Sequence, residues 1–381
     1  MIEELAARLQ AVDRAILADV VRQDQRSLSF EIMDWSFRRL SAKGFANPDG
    51  LWLFSGSGNA GGATQPWSVV LKIFERPQQE PAPDARLYWK RELLVAQSGL
   101  LERLPGPVRG PRFYRTEEYP DSLWLWMEHV RDERAGAWTL DDYVFAARQL
   151  GCWNGACAAM PPLKEPWLNK QPHRGLYGVV NPEADWQSHW HQKYISEDTR
   201  LRFARLWAER ELFYSVLEAL PQCLAHFDCH RRNLLIQPGR NGQAEMVVID
   251  WALCGVGALG IELHGLVGGS TMFAEWPSAA VAALDQAAFR SYVEGLREAG
   301  WSGDVTLVRL AHVTCLAIYR GAVVPIAMNG FCSPERRSLA LQLVGIAEEE
   351  LYLHLLPLLH YWLDCADEAR SLMRQTGMMP N

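Results

Sequence analysis

The sequence predicts an α+β protein of two lobes, a small N-terminal one built on an antiparallel sheet and a larger, mainly helical C-terminal one. Short aromatic and β-branched runs broken by Gly, Pro and Asn fill the first third of the chain, and helical periodicity takes over after Val130. At 381 residues the chain also exceeds what one core comfortably serves. The expected boundaries are residues 1–126 for the N-terminal lobe, 127–131 for a hinge and 132–381 for the helical lobe.

Ile2, Leu5, Leu9, Val12, Ile16 and Val20 recur at helical spacing, which predicts an amphipathic helix over 1–22 rather than an export signal. Met33–Leu40, Leu51–Phe54 and Trp67–Phe74 read as three antiparallel strands. After the Pro-rich break PQQEPAPD, residues 85–101 alternate apolar and charged positions as a helix does. PRFYRTEE and SLWLWMEHV then predict two more strands, the second apolar enough to be buried on both faces. Helices are expected at 140–159, 186–220, 279–299, 305–326 and 334–374, interrupted only by the strand-like pieces QCLAHFDCHRRNLLIQ and EMVVIDWAL.

A hydrophobic share of 49% and a charged share of 22% are those of a globular protein. The net charge of -7 leaves no basic footprint for a phosphate backbone, so nucleic acid is not an expected partner. No uncharged apolar run approaches the roughly 18 residues of a membrane span, so no membrane partner is expected either. The eight cysteines form no C-x-x-C pair and point to reduced thiols in a cytoplasmic protein. The pattern leaves the oligomeric state open.

Chemistry concentrates in His226-Phe-Asp228-Cys-His-Arg-Arg-Asn233, followed 17 residues later by Asp250 at the end of the apolar run MVVIDW. Phosphoryl transfer needs a carboxylate to orient or deprotonate the acceptor hydroxyl, and oxygen ligands to hold a divalent cation on the nucleotide phosphates. Asp228, Asn233 and Asp250 are residues of those types. The five-residue separation of acid and amide lets one loop turn both inward, and the strand preceding Asp250 would deliver its carboxylate at a strand end.

His226–Asn233 resembles the H-x-D-x-x-x-x-N catalytic loop of the aminoglycoside phosphotransferase and choline kinase superfamily, and Ile249-Asp250-Trp251 resembles its metal-binding I-D-[WF]. The resemblance covers roughly residues 33–265 and implies a bilobal protein-kinase-like fold. It implies Asp228 as the catalytic aspartate, Asn233 and Asp250 as ligands of magnesium or manganese, and ATP or GTP as phosphate donor. Lys72 in VVLKIF is similar to the third-strand lysine of kinase folds that grips nucleotide phosphates. Glu92, 20 residues on, would pair with it. Met127, Glu128 and Val130 resemble the hinge, where backbone groups at the last two would bond the adenine edge. Glu262 stands where the family more often has Asp, as an anchor of the catalytic loop.

Gly56–Gly61 matches G-x-G-x-x-G, but a strand rather than a helix follows it, so it reads as the hairpin turn between the second and third strands. The phosphate-covering loop is then Ser41–Asp49, with Gly44 permitting close backbone approach; a simple polar turn is the alternative. Arg231 and Arg232 are open to three roles: holding phosphate, steadying the catalytic loop, or forming a solvated turn. Trp186, Trp190 and Trp251 belong to the core or border the substrate cleft. The function expected is transfer of a terminal phosphate from ATP or GTP to a hydroxyl of a small molecule, such as an aminoglycoside-like antibiotic, an amino alcohol or a sugar. The alternative is a catalytically weak nucleotide-binding regulator of the same fold. The 11 residues between Asp250 and Glu262 are too few for the activation segment of a protein kinase.

Overall fold

The computed structural model describes residues 7–40, 50–170, 172, 174, 186, 189–239, 242–321 and 348–379. It forms two compact units, one made of Met1–Glu80, Leu93–Leu101 and Gly110–Arg131, the other of Pro81–Glu92, Glu102–Arg109 and Asp132–Asn381.

The first unit opens with α1 (Arg14–Gln25), whose N-terminus is capped by Asp13, its carboxylate accepting from the Ala15 amide at 2.8 Å. This cap lies inside the helix predicted over 1–22, and the chain turns at 11–13 between two helical stretches. A side chain that satisfies helix-start amides wins locally over unbroken periodicity. Leu17, Val20 and Val21 of α1 are buried in one cluster with Val69, Leu71 and Ile73, each such side chain contributing roughly 1.5–3 kcal/mol by burial.

Those last three residues alternate along β3 (Ala63–Glu75), the centre of an antiparallel sheet with β1 (Glu31–Arg39), β2 (Leu51–Ala60), β5 (Phe113–Glu118) and β6 (Ser122–Glu128). The strand order is β1-β2-β3-β6-β5. β6 is buried from Ser122 to Met127, so both its faces are covered, as its continuous apolar run predicts. The opposite alternation, Leu53, Val70, Leu125 and Met127, forms a second cluster against which Ala96 packs.

β2 and β3 are longer than predicted and meet at Gly61 and Gly62, with φ of +61° and +89°, the backbone of a two-residue type I′ hairpin. The turn expected at Gly56–Gly61 is therefore displaced: Gly56 lies within β2, opposite Trp35 and Trp67. The loop Ser41–Asp49, with Gly44, lies outside the described residues.

The second unit begins at Pro81. α2 (Arg91–Ser98), of which Arg91 and Glu92 belong to this unit and the rest to the first, is shorter than the helix predicted over 85–101. The cause is the fully buried Arg91 guanidinium, which donates to the carbonyls of Pro83, Ala85 and Arg86, holding that stretch in turns, and also to those of Trp167 and Ala252. β4 (Val108–Arg109) pairs in parallel with β9 (Ala244–Val248), which pairs antiparallel with β8 (Leu234–Pro238). β7 (Gln222–Ala225) and β10 (Gly255–Ala258) form a separate antiparallel pair.

Around these strands lie α3 (Leu140–Ala158), started by a Thr139–Asp142 capping box, α7 (Val281–Glu298), α8 (Val305–Cys315) and α9 (Glu348–Gln375). The helical region predicted over 186–220 divides into α4 (His189–Tyr194), α5 (Glu197–Ala208), capped by Ser196, and α6 (Arg210–Ala219). Two stretches, His264–Gly269 and Leu316–Gly321, are π-helical. No helix among the described residues is long and apolar enough to cross a membrane.

Candidate active site

The segment that leaves β7 is fixed by its backbone. His226 and Phe227 donate their amides to the two carboxylate oxygens of the fully buried Glu262, at 2.5 Å and 3.3 Å. Phe227 takes a left-handed φ of +67°, a conformation costly for a bulky residue, and the two bonds hold it. Glu262 thus performs the anchoring that the resemblance gives to an acid at this place. Burial raises it to about 7, against the lowering effect of its amide and Cys229 thiol donors.

His226 works through both ring nitrogens: Nε2 donates to the Ile249 carbonyl at 3.0 Å, and Nδ1 accepts from the Asp228 amide at 3.3 Å. Burial lowers its pKa to about 4, so the imidazole is neutral and this tautomer is self-consistent.

Asn233 makes the decisive contact. Its Nδ2 donates both to the Asp228 carbonyl and to Asp228 Oδ2, each at 3.0 Å. Two acceptors on one side settle the amide orientation, so Oδ1 faces away from Asp228. Across the β8–β9 pair, Leu234 stands opposite Val248 and the Ile249 amide donates to the Asn233 carbonyl at 3.0 Å. Asp250 is the next residue, with a left-handed φ of +64°. The structure therefore brings Asp228, Asn233 and Asp250 to one end of one strand pair.

What surrounds this end is built, not loose. The Trp251 amide donates to Glu92 Oε1 at 3.2 Å and its indole to the Val248 carbonyl at 2.7 Å. Its fully buried ring meets His226 and Trp153 edge to face, which resolves it as core. Arg231 is buried, bonds Asp132 at 2.8 Å and lies over the Trp138 ring, so it steadies the loop. Arg232 pairs with Glu275 at 2.6 Å. Trp186 packs on Phe203, and the Trp190 side chain is outside the description.

In the first unit, Lys72 shares its sheet face with Val70, opposite the α1 side, and its ammonium lies 5.2 Å from the Phe74 ring centre. Met127 is buried on that same face. The Glu128 amide donates to the Arg112 carbonyl at 2.8 Å, and its carboxylate accepts from the Arg112 amide at 3.0 Å. The Glu128 amide and carboxylate are therefore both engaged with Arg112 within the first unit. Val130 follows, half-buried, two residues after β6.

Sequence reasoning missed Arg91, whose acceptors come from separate parts of the chain, and the two-sided work of His226. The placement of His226 at the head of the motif was the available signal.

The family model described as APH, phosphotransferase enzyme family, matches residues 59–301. The chain belongs to this family. No curated protein sequence matches it. Among solved structures, the microcompartment-associated aminopropanol kinase aligns with a TM-score of 0.50 at 16% identity, covering 91% of this chain and all, 100%, of that one, a likeness that shows the fold. The amicoumacin kinase hAmiN in complex with AMP-PNP, Ca2+ and Ami gives 0.49 at 13% identity, covering 92% and 96%. The GDP complex of aminoglycoside 2'-phosphotransferase-IIIa gives 0.46 at 12%, covering 90% and 99%.

For a member of this family the donor set is chemically apt. The Asn233 amide oxygen, turned away from Asp228, and the Asp250 carboxylate are hard oxygen ligands of the kind that magnesium or manganese takes.

Proposed function

We propose that the protein transfers the terminal phosphate of ATP or GTP to a hydroxyl group of a small molecule. The observation that carries this reading is the double hydrogen bond from Asn233 Nδ2 to Asp228, which aims the carboxylate and frees the amide oxygen for a cation. Asp228 receives the acceptor hydroxyl proton as its oxygen bonds to the terminal phosphorus, while the bond from that phosphorus to the bridging oxygen breaks and the nucleoside diphosphate leaves. Asn233 and Asp250 hold magnesium or manganese, which when bound neutralises charge on the phosphates. Lys72 grips the phosphates with Glu92 as its partner, and the Glu128 carbonyl and the Val130 backbone take the adenine edge beside Met127. Family membership and the amino alcohol acted on by the aminopropanol kinase support a small hydroxylated acceptor.

Asp228→Asn is the test. It keeps the size of the side chain and removes the basic oxygen pair, so nucleotide binding should stay near wild type while turnover falls about 10²- to 10⁴-fold. Full phosphotransfer by a folded Asp228→Asn protein would sink this reading. It would also remove the ground for preferring an enzyme over a nucleotide-binding regulator.

A further inference from the structure

Arg320 is carried by the π-helical stretch Leu316–Gly321 and lies along the other one, His264–Gly269. Its Nε donates to the His264 carbonyl at 3.4 Å, and Nη1 approaches Met272 Sδ at 3.8 Å. Both contacts are weak for a guanidinium. Among the described residues no carboxylate forms an ion pair with it, and the residue as a whole is half-buried.

Two glycines make the room it occupies. A Cβ on Gly268 would stand 2.9 Å from Arg320 Cγ and 3.1 Å from Nε. A Cβ on Gly269 would lie 3.3 Å from Arg320 Nη2 and 2.8 Å from His230 Cβ. One point above Gly269 is thus within contact of both Arg320 and His230, and His230 Nε2 is 3.6 Å from Asp228 Oδ2. The guanidinium therefore faces the loop that carries Asp228.

Electrostatics agree with this placement. Confinement draws Arg320 down to about 10, Asp228 draws it back up, and the like charge of Arg86 lowers it further. Arg86 supplies a second cation nearby, its guanidinium 5.5 Å from the centre of the Tyr319 ring. That ring in turn packs on His264 with centroids 4.5 Å apart. π-helical stretches are rare and recur at functional sites, and here one presents the cation while the other receives it.

We propose that Arg320, backed by Arg86, receives a carboxylate of the phosphate acceptor, so that the acceptor is a hydroxy acid rather than a polycationic antibiotic. The inference rests on the reading of Asp228 as the group that meets the acceptor hydroxyl. A guanidinium fork matches a carboxylate in two parallel bonds, and two arginines repel an acceptor that carries several ammonium groups.

The test is thermal melting of the full chain, without nucleotide, in sodium chloride, sodium glycerate or sodium phosphate at matched ionic strength. Wild type, Arg320→Met and Arg320→Lys are compared. Glycerate should raise the wild-type Tm by about 2 °C or more beyond chloride, Arg320→Lys should keep part of that shift, and Arg320→Met should lose it. Arg320→Met alone should melt at or above wild type, since it removes a confined cation that has no carboxylate partner among the described residues. A wild-type shift no larger than that in chloride, or one kept in full by Arg320→Met, overturns the site. So does an Arg320→Met protein that melts far below wild type, which would make Arg320 a structural tie. A phosphate shift exceeding that of glycerate overturns the hydroxy-acid assignment in favour of a phosphorylated acceptor. Failure of the Asp228 reading appears separately, in Asp228→Asn turnover, which these melts do not measure.

Discussion

The backbone amide of Trp251 donates to Glu92 Oε1 at 3.2 Å, joining the residue that follows Asp250 to a helix 159 positions earlier. Next to it, Arg91 donates to the Ala252 carbonyl at 2.8 Å. Together the two bonds bracket Trp251 and fix the chain just after Asp250.

Glu92 can be dissected because its two assigned duties need different chemistry. Glu92→Gln keeps an oxygen for the Trp251 amide and loses the charge that would pair with Lys72. Glu92→Ala loses both. Urea unfolding should place Gln near wild type and Ala lower by about 1–3 kcal/mol, the usual cost of a buried donor left without a partner. Turnover should fall in both variants. Full turnover in Glu92→Gln would leave Glu92 as a backbone anchor only.

The proposed metal ligands give nucleotide binding a dependence that calorimetry can read. Wild type should bind AMP-PNP at least about tenfold more weakly in EDTA than in magnesium, because the phosphates lose their oxygen-bound cation. Asp250→Asn suits the test, since Asn also accepts the left-handed backbone found at this position. Its affinity should be low and nearly indifferent to EDTA. Equal EDTA sensitivity in both proteins would remove Asp250 from the metal site.

Glu262 and His226 should write opposite slopes into the pH dependence of stability. Glu262 titrates near about 7 folded against 4.5 ordinarily, so the folded state holds the extra proton; its contribution is full below 4.5 and is lost as pH rises through 7. His226 titrates near about 4 folded against 6.5, so the unfolded state holds the extra proton, and stability falls as pH drops from 6.5 towards 4. Urea unfolding between pH 4 and 7.5 should show the wild-type advantage over Glu262→Gln shrinking as pH rises. The advantage over His226→Gln should grow. A flat difference for either variant would contradict the burial assigned to that group.

Much of this was legible in the chain because it rests on local pattern. The alternation of Val69, Leu71 and Ile73 announces β3, the apolar run of β6 announces its burial, and the spacing of Asp228 and Asn233 announces a loop that folds one onto the other. Features that depend on distant partners were not legible. Nothing near Arg91 shows that it will gather carbonyls from Trp167 and Ala252, and so nothing shows why α2 starts late. In the run GSGNAGG several glycines could turn the chain, and only pairing with β1 and β3 selects Gly61 and Gly62. Arg320 sits in a helical stretch where sequence reads it as one more charge, and its setting is made by glycines about fifty residues earlier.

The convergence on Arg91 also bears on how the chain emerges from a ribosome. Three of its acceptors, Pro83, Ala85 and Arg86, are already made when it is, but Ala252 follows 161 residues later. At the usual pace of about 5–20 residues per second, that wait lasts roughly 10–30 s. The sheet from β1 to β6 is complete in sequence by Glu128 and can close early. The Pro81–Glu92 segment cannot settle until the strand leading to Asp250 has left the exit tunnel. A nascent chain stalled short of that point carries a finished sheet and an Arg91 still in water, a form that a protease or a chaperone meets before any site exists.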